Sequence, residues 1–107
     1  MDLTQKKCIP CEVGGKPLAH DEIQKLMPEI TGWEIGGDKE LIKDFKFADF
    51  KENMAFVNKV ADLAESEGHH PDMDIHGWNK LTIRLSTHAV GGLSENDFIL
   101  ASKIDQI

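Results

Sequence analysis

Three histidines stand where the sequence predicts that secondary-structure elements end. His69 and His70 follow a long predicted helix, and His88 ends a predicted strand. Pro71 favours an extended path, and adjacent side chains on extended backbone point in opposite directions. One histidine of the pair can therefore face a pocket while the other orients it or contacts another part of a ligand. Imidazole transfers protons and binds metals, so these residues predict acid–base chemistry or a metal site.

Two further features accompany the histidines. Gly91 and Gly92 follow His88 closely and allow a ligand to approach the backbone. Glu65 precedes His69 by about one helical turn, so it can accept a hydrogen bond from the imidazole and hold its tautomer. Alternatively, Glu65 is simply a solvent-exposed residue of the helix, since the sequence pattern would then be the same.

A metal site built from His69, His70 and His88 is the main alternative chemistry, since imidazole is a common zinc ligand. Adjacent histidines are, however, an unusual spacing for chelation. Cys8 and Cys11 form a C-x-x-C, which is typical of half a zinc site or of a redox dithiol. One nearby histidine does not complete a site, and the segment contains proline and glycine, so we expect a mobile tail with two reduced thiols.

The first half of the chain predicts a helix, a hairpin and a second helix. Apolar spacing favours a short helix over residues 21–27, and turn residues around Gly37 predict a hairpin over residues 32–47. Asp49 resembles the cap of the next helix, which ends near Gly68. The apolar residues of that helix recur at spacings of three or four and form a wide stripe suited to packing on a sheet.

The second half predicts two strands and a helix. A short strand covers residues 73–75, and residues 79–88 alternate between apolar and polar side chains, with His88 on the polar face. A last helix is capped by the segment that starts at Ser94. The predicted fold class is α+β, a four-stranded antiparallel sheet with three helices on one face in the order αββαββα.

Length and composition limit the classes of function. The chain has 107 residues, of which 40% are hydrophobic and 29% charged, as in a globular protein. We predict a flexible N-terminal tail at residues 1–20 and one domain at residues 21–107. The net charge of −7 disfavours binding to nucleic acid or to anionic membranes. The sequence shows neither a secretory signal nor a membrane-spanning run, so we expect a cytoplasmic protein.

The spacing of these groups resembles one known family. From Asp21 to its C-terminus, the chain resembles the pterin-4a-carbinolamine dehydratases. The residues that carry the resemblance are Glu65, the His69-His70-Pro71 segment, Trp78, His88 and Asp97, together with Trp33, the stretch from Phe45 to Phe50 and the segment from Gly92 to Asp97.

The resemblance implies a reaction. Family members remove water from a 4a-hydroxytetrahydropterin to give the quinonoid dihydropterin, which recycles the cofactor of aromatic amino-acid hydroxylases. Imidazoles, with an ordinary pKa near 6.5, suit the two proton transfers. We expect His69 and His88 to move the protons, His70 to bind or polarise the pterin, and Glu65 to steady His69. Neither metal nor cofactor is implied, since the pterin is the substrate.

Further site residues follow from the same resemblance. Ser86 and Thr87 lie beside His88 and can bond the pyrimidine edge of a pterin. Trp78 and Asp97 belong to the family signature and are candidates for substrate binding. A packing aromatic and a helix-capping carboxylate would explain them equally well.

The resemblance also implies partners. We expect a homodimer or homotetramer, and a functional link to an aromatic amino-acid hydroxylase. A non-catalytic alternative is a regulatory module, because animal relatives stabilise the dimer of a transcription factor through helix packing. An exposed apolar stripe on the long helix, formed by Phe56, Val60 and Leu63, is the feature that would favour this alternative.

Overall fold

Hydrophobic spacing and capping residues divide the chain into helices and strands in the predicted order. The computed structural model describes residues 3–8 and 15–107. No helix in these ranges is both long enough and apolar enough to cross a bilayer. The elements in chain order are α1 (His20–Leu26), β1 (Glu34–Gly36), β2 (Glu40–Lys46), α2 (Phe50–Glu67), β3 (Asp72–His76), β4 (Lys80–Leu85) and α3 (Glu95–Ile104).

The four strands form one antiparallel sheet in the order β1-β2-β4-β3. Alternation along β4 gives the sheet two unlike faces: Leu81, Ile83 and Leu85 are fully buried, whereas Arg84 is exposed. The buried face forms the core together with side chains of α2 and α3, among them Phe98. The predicted α+β fold, with the helices on one face of the sheet, is confirmed.

Helix α2 is the longest element, and the predicted signals mark both its ends. Asp49 Oδ1 accepts a hydrogen bond from the backbone N–H of Glu52 at 2.8 Å, and Gly68 ends the helix with a φ of 66°. The ring of Phe56 packs 4.9 Å from that of Phe45, and Val60 is fully buried. The apolar stripe of α2 therefore faces the core of its own chain.

Strand β4 is shorter than predicted. It ends at Leu85, and His88 opens a short 3-10 turn, His88–Val90, in place of extending the strand. Gly91 allows this turn with a φ of 69°, and the backbone N–H of Thr87 donates to the carbonyl of Gly92 at 2.7 Å. The chain thus folds back on itself, and His88 lies in an exposed turn beyond the strand.

The described part of the predicted tail packs on the domain. Leu3 is 1% exposed and belongs to the core, and Lys6 Nζ lies 2.8 Å from Glu95 Oε1. Residues 3–8 are therefore docked on the domain, and burial of the Leu3 side chain contributes about 2 kcal/mol. The flexible tail expected for residues 1–20 as a whole stays a prediction. Cys11 lies outside the described residues.

Cys8 is held against the ends of α2 and α3. Its backbone N–H donates to Glu67 Oε1 at 2.9 Å, and its Sγ lies 3.6 Å from the carbonyl oxygen of Asn96. Burial and the neighbouring Glu67 carboxylate raise the pKa of the Cys8 thiol to about 12. A thiol in this state has little thiolate at neutral pH and is therefore a poor nucleophile.

This packing predicts slow alkylation of Cys8 in the folded protein. In a Cys11→Ser variant, we expect iodoacetamide at pH 8 to label Cys8 at least ~100-fold more slowly than in guanidinium-unfolded protein, because thiolate is the reactive form. Mass spectrometry of timed samples gives both rates. Equal rates in the folded and unfolded protein would show that this segment is not docked in solution.

Candidate active site

The register of the sheet brings the predicted histidines to one end of it. Asp72 pairs with Arg84, so the residues before β3 and those after β4 lie beside each other. His69 and His70 precede β3, and His88 follows β4. Antiparallel pairing therefore gathers three residues that are as much as 19 positions apart in the sequence.

The backbone of His69 is fixed by the end of α2. The N–H of His69 donates to the carbonyl of Ala64 at 3.3 Å, and the N–H of Gly68 donates to that of Glu65 at 3.3 Å. These two bonds form a Schellman motif, which needs a residue in the left-handed conformation between the helix and His69. Gly68 supplies that conformation. His69 therefore leaves the helix in one defined direction.

Asp97 holds the ring of His69. The Oδ1 atom lies 2.6 Å from Nε2 of His69, and Oδ2 accepts from Thr87 Oγ1 at 2.8 Å and from the backbone N–H of Ser94 at 3.0 Å. The Asp97 side chain is fully buried, and that of His69 is 12% exposed. A carboxylate oxygen accepts hydrogen bonds, so Nε2 carries the proton and Nδ1 of the neutral ring keeps the lone pair.

This geometry changes the role expected for Asp97. The resemblance made it a candidate for substrate binding, but both carboxylate oxygens are engaged within the protein. Asp97 also occupies the third helical position of α3 and bonds the cap residue Ser94, as the helix-capping alternative predicted. We therefore assign Asp97 to positioning His69.

Glu65 contacts a different histidine from the one expected. Its Oε1 lies 2.6 Å from Nε2 of His70, and both side chains are exposed, at 77% and 61%. The prediction that Glu65 steadies His69 is corrected, because the Schellman turn directs His69 toward α3 and leaves His70 on the side of α2. An exposed pair of this kind contributes little to stability.

His88 lies at a cavity of about 240 Å³. The cavity is lined by Lys39, Glu40, Ser86, Thr87, His88, Gly91 and Gly92. Within the described residues, no hydrogen-bond partner of the His88 ring is observed. Thr87 is buried, and its hydroxyl bonds Asp97 and lies 2.7 Å from Ser94 Oγ. It therefore links the His69–Asp97 pair to the cavity, whereas Ser86 is the neighbour with a hydroxyl available to a ligand.

Comparison with known proteins identifies the family. A family model described as pterin 4 alpha carbinolamine dehydratase matches residues 16–107. The chain belongs to this family. The predicted resemblance is confirmed.

Several curated relatives of the dehydratase family are similar over nearly the whole chain. A protein from Nitrosospira multiformis is 48% identical over 99% of this chain and 92% of its own length. One from Alkaliphilus metalliredigens is 45% identical over 98% of this chain and 95% of its own length. Both are provisionally named pterin-4-alpha-carbinolamine dehydratases. The mitochondrial pterin-4-alpha-carbinolamine dehydratase 2 of Arabidopsis thaliana is 42% identical over 99% of this chain and 59% of its own length.

Solved structures of dehydratase relatives share the fold. A transcriptional coactivator/pterin dehydratase from Brucella melitensis superposes with a TM-score of 0.77 and 28% identity, covering 85% of this chain and 97% of that one. A pterin dehydratase-like protein described as a RuBisCO assembly factor in the alpha-carboxysome gives a TM-score of 0.58 and 26% identity, covering 70% of this chain and 87% of that one.

Trp78, which the dehydratase resemblance singled out, lies at the far end of β4. It occupies the turn between β3 and β4 with a φ of 54° and is 59% exposed. The six residues of β4 separate it from the cavity of His88 by about 20 Å at roughly 3.3 Å per residue. Within one chain, Trp78 cannot contact a small ligand held by His88. The alternation pattern places it beside β4 but does not indicate which end of the strand holds the ligand.

Sequence reasoning missed Lys39 and Glu40 at the cavity of His88. Lys39 is the last residue of the turn between β1 and β2, in which Asp38 binds Nδ1 of His20 at 3.0 Å, and Glu40 begins β2. Glu40 is paired with Arg84 at 2.7 Å. The hairpin signal was present in the sequence, but the pairing of β2 with β4, which brings this turn to His88, has no local signature.

The described residues contain no group of three or more histidine, cysteine, aspartate or glutamate side chains arranged to hold a metal ion. His69 and His70 take separate carboxylate partners, Asp97 and Glu65. Their Nε2 atoms are therefore already occupied, which disfavours the alternative of a shared metal within this part of the chain.

The Schellman turn predicts a stability cost for replacing Gly68. Gly68→Ala creates no clash, since nothing lies near an added Cβ, but it places an L side chain at a φ of 66°. We expect a loss of about 1 kcal/mol in the free energy of unfolding, measured by urea titration. Gly68→Asn is the matched control and should lose less, because asparagine tolerates the left-handed conformation. A Gly68→Ala protein as stable as wild type would show that the turn does not need glycine here.

Proposed function

We propose that this chain dehydrates a 4a-hydroxytetrahydropterin to the quinonoid dihydropterin by histidine acid–base catalysis. One group removes the proton from N5, the C4a–O bond breaks as N5=C4a forms, and a second group protonates the departing hydroxyl to give water. The observation that carries the proposal is the 2.6 Å bond between His69 and the buried Asp97, at the end of the sheet that also holds His88.

His69 is suited to remove the N5 proton. Asp97 fixes the tautomer with hydrogen on Nε2, which leaves the lone pair on Nδ1. Proton uptake at Nδ1 creates an imidazolium, and the adjacent buried carboxylate stabilises that charge. A carboxylate–histidine pair whose remaining nitrogen takes up the proton is a recurring arrangement for general bases.

His88 is suited to protonate the hydroxyl. It is exposed at the cavity, so it can exchange protons with solvent between turnovers. After one turnover His69 has gained a proton and His88 has lost one. Exchange with solvent then restores both histidines to their starting protonation states. Thr87, whose hydroxyl donates to the Asp97 that holds His69, is the chain neighbour of His88, which favours concerted positioning of the two histidines.

Substrate binding falls to the polar groups around the cavity. Ser86 offers a hydroxyl, and His70, steadied by Glu65, is available to bind or polarise the pterin. We assign Thr87 to positioning Asp97, because its hydroxyl is already engaged. This division keeps the acid–base pair separate from the groups that orient the ring.

The non-catalytic alternative loses the feature that would favour it. Val60 is fully buried, and Phe56 and Leu63 pack against the core, so the stripe on α2 is not an exposed surface. The names of the two structural relatives include a coactivator and an assembly factor, and such roles belong to those proteins. Homo-oligomerisation, a cytoplasmic location and a link to an aromatic amino-acid hydroxylase stay predictions.

The proposed mechanism predicts the kinetics of histidine variants. Stopped-flow absorbance of freshly generated 4a-hydroxytetrahydropterin should show faster decay with wild-type protein. We expect His69→Ala and His88→Ala to lower the catalysed rate of this decay ~10²-fold or more, since each variant lacks one proton-transfer group. His76→Ala is the matched control and should keep full activity, because His76 ends β3 at the opposite end of the sheet from His88, where it bonds Thr82.

Two results would overturn the mechanism. Decay at the background rate with wild-type protein would refute the dehydratase proposal. Full activity in His69→Ala would refute the role of the Asp97-linked histidine while leaving the reaction itself in place.

A further inference from the structure

Glu67 joins three parts of the chain. Its Oε1 accepts the backbone N–H of Cys8 at 2.9 Å, and its Oε2 accepts from Lys103 Nζ at 2.8 Å. Glu67 is the last residue of α2, Lys103 lies on α3, and Cys8 belongs to the N-terminal segment. One carboxylate therefore ties the end of α2 to α3 and to residues 3–8.

This ion pair is unlike the exposed pairs of the molecule. The Glu67 side chain is 5% exposed and that of Lys103 is 16%, whereas Lys6 and Glu95 are 38% and 45% exposed. The attraction between two buried charges is screened less by solvent than that between exposed charges, and a buried pair is favourable only when its hydrogen-bond geometry is good. Burial alone raises the pKa of Glu67, but the hydrogen bonds from Lys103 and the Cys8 N–H bring the pKa below its usual value. The carboxylate is thus held ionised in one position.

The position of Glu67 connects it to His69. Only Gly68 lies between the two residues, and the Schellman turn fixes their relative orientation. His69 bonds Asp97 near the start of α3, and Glu67 bonds Lys103 six residues further along, about 9 Å at 1.5 Å per residue. The end of α2 is therefore joined to α3 at two separate points, through His69 and through Glu67.

We propose, on the basis of the dehydratase function above, that Glu67 is a positioning residue whose bonds to Lys103 and Cys8 hold His69 in line with Asp97. Glu67 touches neither the cavity lining nor the proposed proton-transfer atoms. It acts by setting the angle between the end of α2 and α3. Small misplacements of a proton-transfer group are known to cost large factors in rate.

The test combines kinetics with a spectroscopic measurement on His69. In Glu67→Gln, which keeps the side-chain shape, we expect kcat to fall at least ~10-fold with KM within about twofold. Long-range ¹H–¹⁵N correlation should show the Nε2–H tautomer of His69 in wild type and an averaged tautomer in the variant. Glu95→Gln is the matched control, since it breaks the exposed Lys6 pair at the start of the same helix and should change neither readout.

Two further variants separate positioning from loss of folding. Glu67→Gln leaves Lys103 unpaired, so the double variant Glu67→Gln/Lys103→Met removes both charges together. Lys103→Arg keeps the pair and should retain both kcat and the His69 tautomer. A folded Glu67→Gln protein, or folded double variant, with unchanged kcat and unchanged His69 signals would overturn the proposal. If wild-type protein fails to dehydrate the pterin, the proposed dehydratase function is refuted. The His69 signals alone then decide whether Glu67 positions that ring.

Discussion

The hydrogen bond between His69 and the buried carboxylate of Asp97 is the contact on which the site depends. An ionised carboxylate is costly to bury, and three donors offset the cost here: His69, Thr87 and the backbone of Ser94. Each donor comes from a different place, namely the end of α2, the segment after β4 and the cap of α3. The same set of bonds therefore assembles the fold locally and fixes the tautomer of one histidine.

Antiparallel register determines which predicted residues can act together. Pairing of Asp72 with Arg84 and of Leu41 with Leu85 brings His69, His88 and the turn before Glu40 to one end of the sheet. The same register carries Trp78 to the other end, where Asn53 Nδ2 donates to its carbonyl at 3.0 Å. Asn53 is fully buried, so Trp78 has a structural anchor on α2.

Local signals predicted much of the fold and less of the site. The Asp49 cap, Gly68 and the alternation of β4 act within a few residues, and each gave the correct element. The partner of Glu65 could not be predicted, since His69 and His70 lie at similar distances along a helix and only the direction of the Schellman turn separates them. Leu3 and Glu67 were missed because their partners lie on α3, far away in sequence.

The kinetics of Asp97→Asn test the central claim most directly. Asparagine keeps the shape and its oxygen can still accept from Ser94 and Thr87, but its NH₂ group facing His69 favours the opposite tautomer, with hydrogen on Nδ1. We expect kcat for pterin dehydration to fall at least ~10²-fold with little change in KM, and the His69 proton to move from Nε2 to Nδ1 in ¹⁵N spectra. A folded Asp97→Asn protein with wild-type kcat would contradict the claim that this carboxylate organises the site.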